Sequence, residues 1–307
     1  MGEQISKAAL ARRLGVSRGA LYYQKKLPDK DEELRQAIEA VMLKNPAYGH
    51  RRIADALGIN RKRIRRVMRL FNLKPARRCR TGAPSKPEDV GQQAAIYPDI
   101  TKKLSPIVPN FLWVSDFTFI SFHGTFVYLA TIIDRFTREV LGANIMTSHS
   151  VELIDGAFKQ ALENTGTVPE WFHSDQGSEY KAGDFIQWHD KLGINISMTP
   201  KSSPWRNGAQ ESFFGRFKIE FGDPDRFDTL PELIEEIYAS IAYYNQERIH
   251  TALRMAPLQF KAIWHAKRAG QKPQQPLTVY PKKVQSPPEL CKYLPLRHTP
   301  PEVFHMN

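Results

Sequence analysis

The chain has 307 residues, 41% of them hydrophobic and 25% charged, with a net charge of +12. That length predicts two domains with extra arms, and the excess of Lys and Arg points to a polyanionic partner, most often nucleic acid. The only cysteines, Cys79 and Cys291, lie too far apart in sequence to read as a zinc site or a disulfide framework, and no apolar run is long enough to span a membrane, so the expectation is a cytoplasmic protein with no membrane partner.

Residues 1–75 read as short helices joined by tight turns, and they contain an internal repeat. Ala11-x-x-Leu14-Gly15-Val16-Ser17-Arg18 recurs as Ala54-x-x-Leu57-Gly58-Ile59-Asn60-Arg61. Each copy predicts a helix with Ala and Leu on its inner face, a Gly stop, and a second helix capped by Ser or Asn. That is a tandem helix-turn-helix pattern, in which the second helix lies in the major groove. The second copy carries Arg61, Lys62, Arg63, Arg65, Arg66 and Arg69, and no acid occurs from Arg61 to Arg80. Ile64, Val67, Met68 and Phe71 form an apolar stripe at helical spacing, so these cations decorate a helix rather than a basic tail. They imply contact with the phosphate backbone; which bases are read is not visible.

Residues 76–109 contain Pro84, Pro87, Pro98, Pro106 and Pro109 and read as a basic, extended linker. Residues 110–267 form the main, α/β domain. Its first apolar runs, Phe111–Ile120, Thr125–Ile133 and Glu139–Met146, are joined by His123-Gly124 and by Asp134–Arg138, which predicts an antiparallel meander. A helix follows with Val151, Ile154, Phe158 and Leu162 on one face. Then come a strand at Trp171–His173, a helix at Asp184–Leu192, a short strand at Ile194–Met198 and a long helix from about Asn207. The sum is a mixed five-stranded sheet flanked by helices. Residues 268–307 are a Pro-rich tail without a core of its own, with room for one strand at Leu277–Tyr280.

Three acids stand out. Asp116 sits inside the first apolar strand, where a carboxylate is costly unless paired or bound to metal. Asp175 closes the fourth strand in His173-Ser-Asp-Gln-Gly-Ser-Glu-Tyr180, and Gly177 lets the chain turn sharply after it. Glu211 lies early in the long helix, where Asn207 reads as the N-cap and Gln210 as part of a capping box. Phe214, Phe217 and Phe221 hold that helix down, and Glu211 shares a neighbouring stripe with Gly215 and Lys218. Singly, each acid also reads as a turn Asp, a strand Asp bonded to an amide, or a surface Glu. Together, three carboxylates from two strands and a helix form an oxygen-rich site suited to Mg²⁺ or Mn²⁺, two of which serve phosphoryl transfer. His173 reads as a core histidine, with orientation of a ligand as the alternative.

Thirty-five residues separate Asp175 from Glu211. The stretches WVSDFTFI, HSDQGSEY and NGAQESFFGRFKIE together resemble the DDE core of insertion-sequence transposases, specifically the downstream-frame protein of the IS3 family, and HSDQGSEY resembles retroviral integrases. The likeness runs from YGHRRIADAL to YYNQERIHTALRMAP. It implies an RNase H-like fold, with Asp116, Asp175 and Glu211 as catalytic residues holding two Mg²⁺ ions, Mn²⁺ being able to substitute. It implies DNA cleavage and strand transfer, acting on terminal inverted repeats and target DNA. Lys218, Asn207 and Gly208 match positions that contact DNA. A homodimer or larger synaptic complex is implied, and an upstream-frame partner protein is the family's common companion. Tyr244-Asn245-x-x-Arg248-x-His250-x-x-Leu253 matches a recurring motif for which packing and capping is the expected role. Retroviral relatives carry a His/His/Cys/Cys zinc domain, and helix-turn-helix units stand in its place here. Two rival readings remain: a simple RNase H-like nuclease, and a non-catalytic DNA-binding repressor of transposition.

Overall fold

The computed structural model describes residues 6–19, 27–76, 97–102, 105–199 and 208–270. Four helices come first: α1 Lys7–Arg13, α2 Leu27–Lys44, α3 His50–Leu57 and α4 Arg61–Leu70. The α3–α4 turn forms for local reasons. Gly58 takes the left-handed conformation that ends α3, and the Asn60 side chain accepts a 2.8 Å bond from the Lys62 amide to start α4. Ile64, Val67 and Met68 of α4 then pack on Ile53 of α3 and on Leu34, Ile38 and Val41 of α2. At 18 residues α2 is longer than the short helix expected, and Arg35 braces it through ion pairs to Glu32 and Glu39 at helical spacing.

The first copy of the repeat departs from its reading. Only Ala11 of α1 is buried, while Leu10, Leu14 and Val16 are exposed. A helix of seven residues with Arg12 and Arg13 in its last turn presents too little apolar face to join the α2–α4 cluster. Its second helix, which the repeat starts at Arg18, falls mostly on residues 20–26, outside the described residues, as do most of the 76–109 linker, the 271–307 segment with Leu277–Tyr280, and Asn207.

The main sheet opens with the expected meander of β1 Leu112–Phe122, β2 Thr125–Asp134 and β3 Val140–Met146. His123 and Gly124 both have positive φ, the type I′ geometry that matches strand twist. Asp134 closes the next turn: its buried carboxylate accepts from the amides of Asn110, Phe136 and Thr137 and from the Thr137 hydroxyl. β4 Trp171–Ser174 and β5 Asn195–Met198 add in parallel, giving the order β3-β2-β1-β4-β5. This mixed sheet is the RNase H-like arrangement.

Alternation along β1 decides what meets what. Trp113 faces α5 (Val151–Thr165) and α6 (Gly183–Lys191), among Leu153, Phe158 and Phe185. Leu112, Val114, Ile120 and Phe122 face α7 (Gly208–Phe221) and α8 (Leu230–Gln246), among Phe213, Phe214, Phe217 and Ile237. Asp116 falls in this second series and so looks toward α7. The last helix, α9 Pro257–Arg268, sets Phe260 and Trp264 edge-on against Phe136.

The helical unit is locked onto this core. The Tyr48 hydroxyl accepts from the Ile249 amide at 2.6 Å, and Arg52 donates to the Thr251 hydroxyl at 3.1 Å. Arg248 makes two bonds to Glu220 on α7, and Arg52 lies 3.7 Å from the same carboxylate. Lys44 pairs with Glu247 and Arg254 with Asp55 around the rim. Ile249 joins the apolar cluster of α2–α4. The stretches YGHRRIADAL and YYNQERIHTALRMAP are thus two halves of one joint.

Candidate active site

Asp116 is half-buried in β1, beside the point where β4 leaves it. Its Oδ1 accepts a 2.8 Å bond from the Phe117 amide. Burial, then the negative charges of Asp175 and Glu211, push its pKa up to about 7. Asp175 follows β4, exposed, and its Oδ1 accepts the Gly177 amide at 2.9 Å in a turn of its own making. Gly177 does not use the left-handed freedom of glycine, and a side chain in its place would push on the ends of two acids. A Cβ there would come within 2.9 Å of Glu179 Oε2 and 3.1 Å of Asp175 Oδ1, and its φ is not positive.

Glu211 sits exposed in the first turn of α7. The N-cap position read at Asn207 lies outside the described residues, and the neighbouring Gln210 reaches into the sheet. It is fully buried, its Nε2 donating to the carbonyls of Val114 and Thr131 at 2.7 and 3.0 Å, and its Oε1 accepting from the Thr131 hydroxyl. A side chain that satisfies backbone groups of both β1 and β2 fixes where α7 begins, and so where Glu211 projects. The charges of Asp175 and Glu211 thus both reach Asp116 through space. Among the described residues, no three His, Cys, Asp or Glu side chains are gathered tightly enough to hold a metal ion.

The other expected residues scatter. The Lys218 ammonium lies over the Phe119 ring at 4.7 Å, three positions along β1 from Asp116. Gly208 is the first residue of α7. His173 is a core histidine, bonded to the Ser197 and Thr199 hydroxyls, and burial drives its pKa down to about 4. Arg61, Lys62, Arg63, Arg65, Arg66 and Arg69 are all exposed on α4, far in sequence from the acids. Arg66 is tied to Asp31 of α2, whereas Lys62, Arg65 and Arg69 line a shallow groove with it. Sequence reasoning missed Gln210 and also Glu179, which is buried beside Asp175 and bonded to His149 at 2.9 Å.

A family model described as integrase core domain matches residues 108–204, and a second of the same description matches residues 192–257. The putative transposase InsK of insertion sequence IS150 from Escherichia coli is 29% identical, over 82% of this chain and 92% of its own length. The transposase of IS904 from Lactococcus lactis is 30% identical, over 72% of this chain and 90% of its own. The chain belongs to the insertion-sequence transposases of the IS3 type. Its activity is that of a DDE transposase, a polynucleotidyl transfer on DNA. Among solved structures, the magnesium-bound catalytic core of HTLV-2 integrase covers 51% of the transposase at 19% identity, with 99% of that core covered and a TM-score of 0.41. Among the described residues of the transposase, no helix is long and apolar enough to cross a membrane.

Proposed function

We propose that Asp116, Asp175 and Glu211 are the catalytic carboxylates of the transposase and that together they hold two Mg²⁺ ions, with Mn²⁺ able to substitute. The observation that carries this is the state of Asp116. A carboxyl half-buried in a strand, with two further acids acting on it, is held near neutrality until a cation arrives. The donor set is all carboxylate oxygen, the chemistry that hard divalent cations take. When bound, such ions activate an attacking hydroxyl and stabilise the leaving oxygen of a phosphodiester. The chain's own residues do the positioning. β1 fixes Asp116, the Asp175 turn fixes the second acid, and Gln210 pins the helix that presents Glu211. Lys218, Asn207 and Gly208 contact the DNA end near the reacting phosphate.

On this reading residues 1–75 bind DNA, 76–109 connect, 110–267 perform the chemistry and 268–307 form a tail. The DNA is the element's terminal inverted repeats and its target, two ends are held by a homodimer or larger complex, and an upstream-frame protein is a candidate partner. The site of action is the cytoplasm, at the nucleoid. The direct test is joining of a duplex oligonucleotide carrying the element's end, with Mg²⁺ added or withheld. Wild type joins only with the cation and Asp116→Asn does not. Equal joining by both would sink the assignment.

A pH dependence follows. Between its ordinary 3.8 and about 7, folded Asp116 keeps a proton that the unfolded chain has released, so the metal-free protein loses stability as pH rises through that window. A divalent cation must displace that proton. Its affinity should therefore climb about tenfold per pH unit toward pH 7 and level off above it. Calorimetric titration with Mn²⁺ from pH 5.5 to 8 reads this, and a flat profile would show that Asp116 is not a ligand.

The α4 face predicts a second measurement. Six phosphate contacts would lower DNA affinity roughly a thousandfold between about 50 and 200 mM salt. Arg65→Ala and Arg69→Ala should each reduce that salt slope by about one unit. Arg66→Ala should act differently, because it strands Asp31, whose carboxyl Arg66 holds below its usual range. Its loss should appear first in thermal stability. Fluorescence anisotropy and thermal melts of the three variants separate the two effects.

A further inference from the structure

β4 pairs with β1 only over Leu112–Val114, so from Asp116 onward that edge of β1 has no strand beside it. The face of β1–β2 away from α7 is aromatic here. Phe119 and Phe126 are 55% and 52% exposed and meet edge to face at 5.2 Å. In register, Phe119 lies opposite Tyr128 and Ser121 opposite Phe126, so these side chains share one face. Phe117, on the same face, stacks nearly parallel on His149 at 6.1 Å, and Tyr128 approaches His149 at 5.1 Å. His149 in turn bonds Glu179, in the loop that carries Asp175. The aromatic strip thus runs from the Asp175 loop to the β1–β2 hairpin. Lys218, from the helix that carries Glu211, sets its ammonium over the Phe119 ring at 4.7 Å.

An exposed aromatic pair is costly to leave in water and marks a contact surface. We propose that this strip is a stacking platform for unpaired bases of single-stranded DNA next to the reacting phosphate. The inference deepens the active-site reading above and rests on it for the location of the phosphate. Three observations select the occupant. Phe119 is three strand residues from Asp116, about 10 Å along β1 on the opposite face of the strand, so one or two nucleotides passing round the unpaired edge of β1 span the distance. Lys218 places a cation among the rings, as a strand with a phosphate between successive bases requires. The most exposed side chains of the strip are Phe119 and Phe126, which carry no hydrogen-bonding group to read base identity, and this suits stacking that tolerates any sequence.

The test uses the full chain and duplex oligonucleotides of arbitrary sequence, one blunt and one with a 3′ single-stranded overhang carrying 2-aminopurine. Binding is measured with metal withheld, so no chemistry intervenes. Wild type should change the 2-aminopurine fluorescence on binding and prefer the overhang. Phe119→Ser combined with Phe126→Ser should weaken overhang binding about 5- to 150-fold, leave blunt-duplex binding unchanged and abolish the fluorescence change. Phe119→Trp should retain it. Unchanged overhang binding by the double variant would overturn the proposal. So would equal loss on both duplexes, or a shift from dimer to monomer in sedimentation without loss of overhang binding, which would assign the strip to a second copy of the chain. Because Asp116→Asn removes joining without touching the rings, it should keep the fluorescence change. A stacking failure and a failure of the carboxylate assignment are therefore read separately.

Discussion

Glu211→Gln should leave the fold and DNA binding intact and reduce end joining by roughly three orders of magnitude or more. The substitution changes one oxygen to nitrogen on an exposed side chain, so packing is not at stake. What changes is charge and ligand strength. An amide is a poorer donor to a hard cation than a carboxylate, and its loss opens the site on the α7 side. Glu211 also contributes to the raised pKa of Asp116, so the variant should release the Asp116 proton at a lower pH. Weak metal binding with an eased proton would be the signature of a lost ligand rather than of a shifted helix. Glu179→Gln is the contrasting variant. That acid also lies beside Asp175, but its oxygens are engaged by His149 and by the Ser178 hydroxyl. Its removal should cost far less activity. The readout is the yield of joined-end junctions in cells and the joining rate on oligonucleotides, beside binding by anisotropy. Wild-type joining by Glu211→Gln, or a larger loss from Glu179→Gln, would mean the third acid has been misplaced.

The parts legible in the sequence are those whose cause is local or periodic. The meander was readable because each strand is an apolar run and each turn has its own chemistry, down to positive φ at His123 and Gly124. The strand position of Asp116 was legible because the apolar run around it sets the alternation of β1. The bonds of Gln210 into the sheet were not legible, because its partners, the Val114 and Thr131 carbonyls, lie 96 and 79 residues away. Leu14 was misread for a related reason: the repeat predicts a helix face, but only tertiary contact decides whether that face is covered. The joint between YGHRRIADAL and YYNQERIHTALRMAP was invisible. Tyr48 and Ile249 are 201 residues apart, and neither has a pattern that names the other.

That joint carries the largest stability prediction. Glu220 is the acid shared by Arg248 and Arg52, both nearly fully buried. Burial, then the charges of Arg248 and Arg216, pull the Arg52 pKa down to about 10, and its Nη1 finds no hydrogen bond in the described structure. Against the pull of its own burial, Arg248 is held above the ordinary guanidinium value by Glu220. Glu220→Gln would leave two buried cations with no charge to answer them, a change that costs about 3–5 kcal/mol. By contrast Arg254→Ala, which removes an exposed partner of Asp55 and leaves Arg61 3.8 Å from the same carboxylate, should cost far less. Replacing Arg248 by Met alongside Glu220→Gln removes one of the stranded charges and should recover part of the loss. Denaturant unfolding of the three variants measures this, and a loss under about 1 kcal/mol for Glu220→Gln would show that water reaches the joint. The consequence extends to chemistry, because Glu220 and Glu211 stand on the same helix, one at each end. A chain that loosens at Glu220 should keep the basic face of α4 and still bind DNA, but deliver that DNA less often to the carboxylates. Joining should then fall more than binding, and Glu220→Gln combined with Arg248→Met should restore both together.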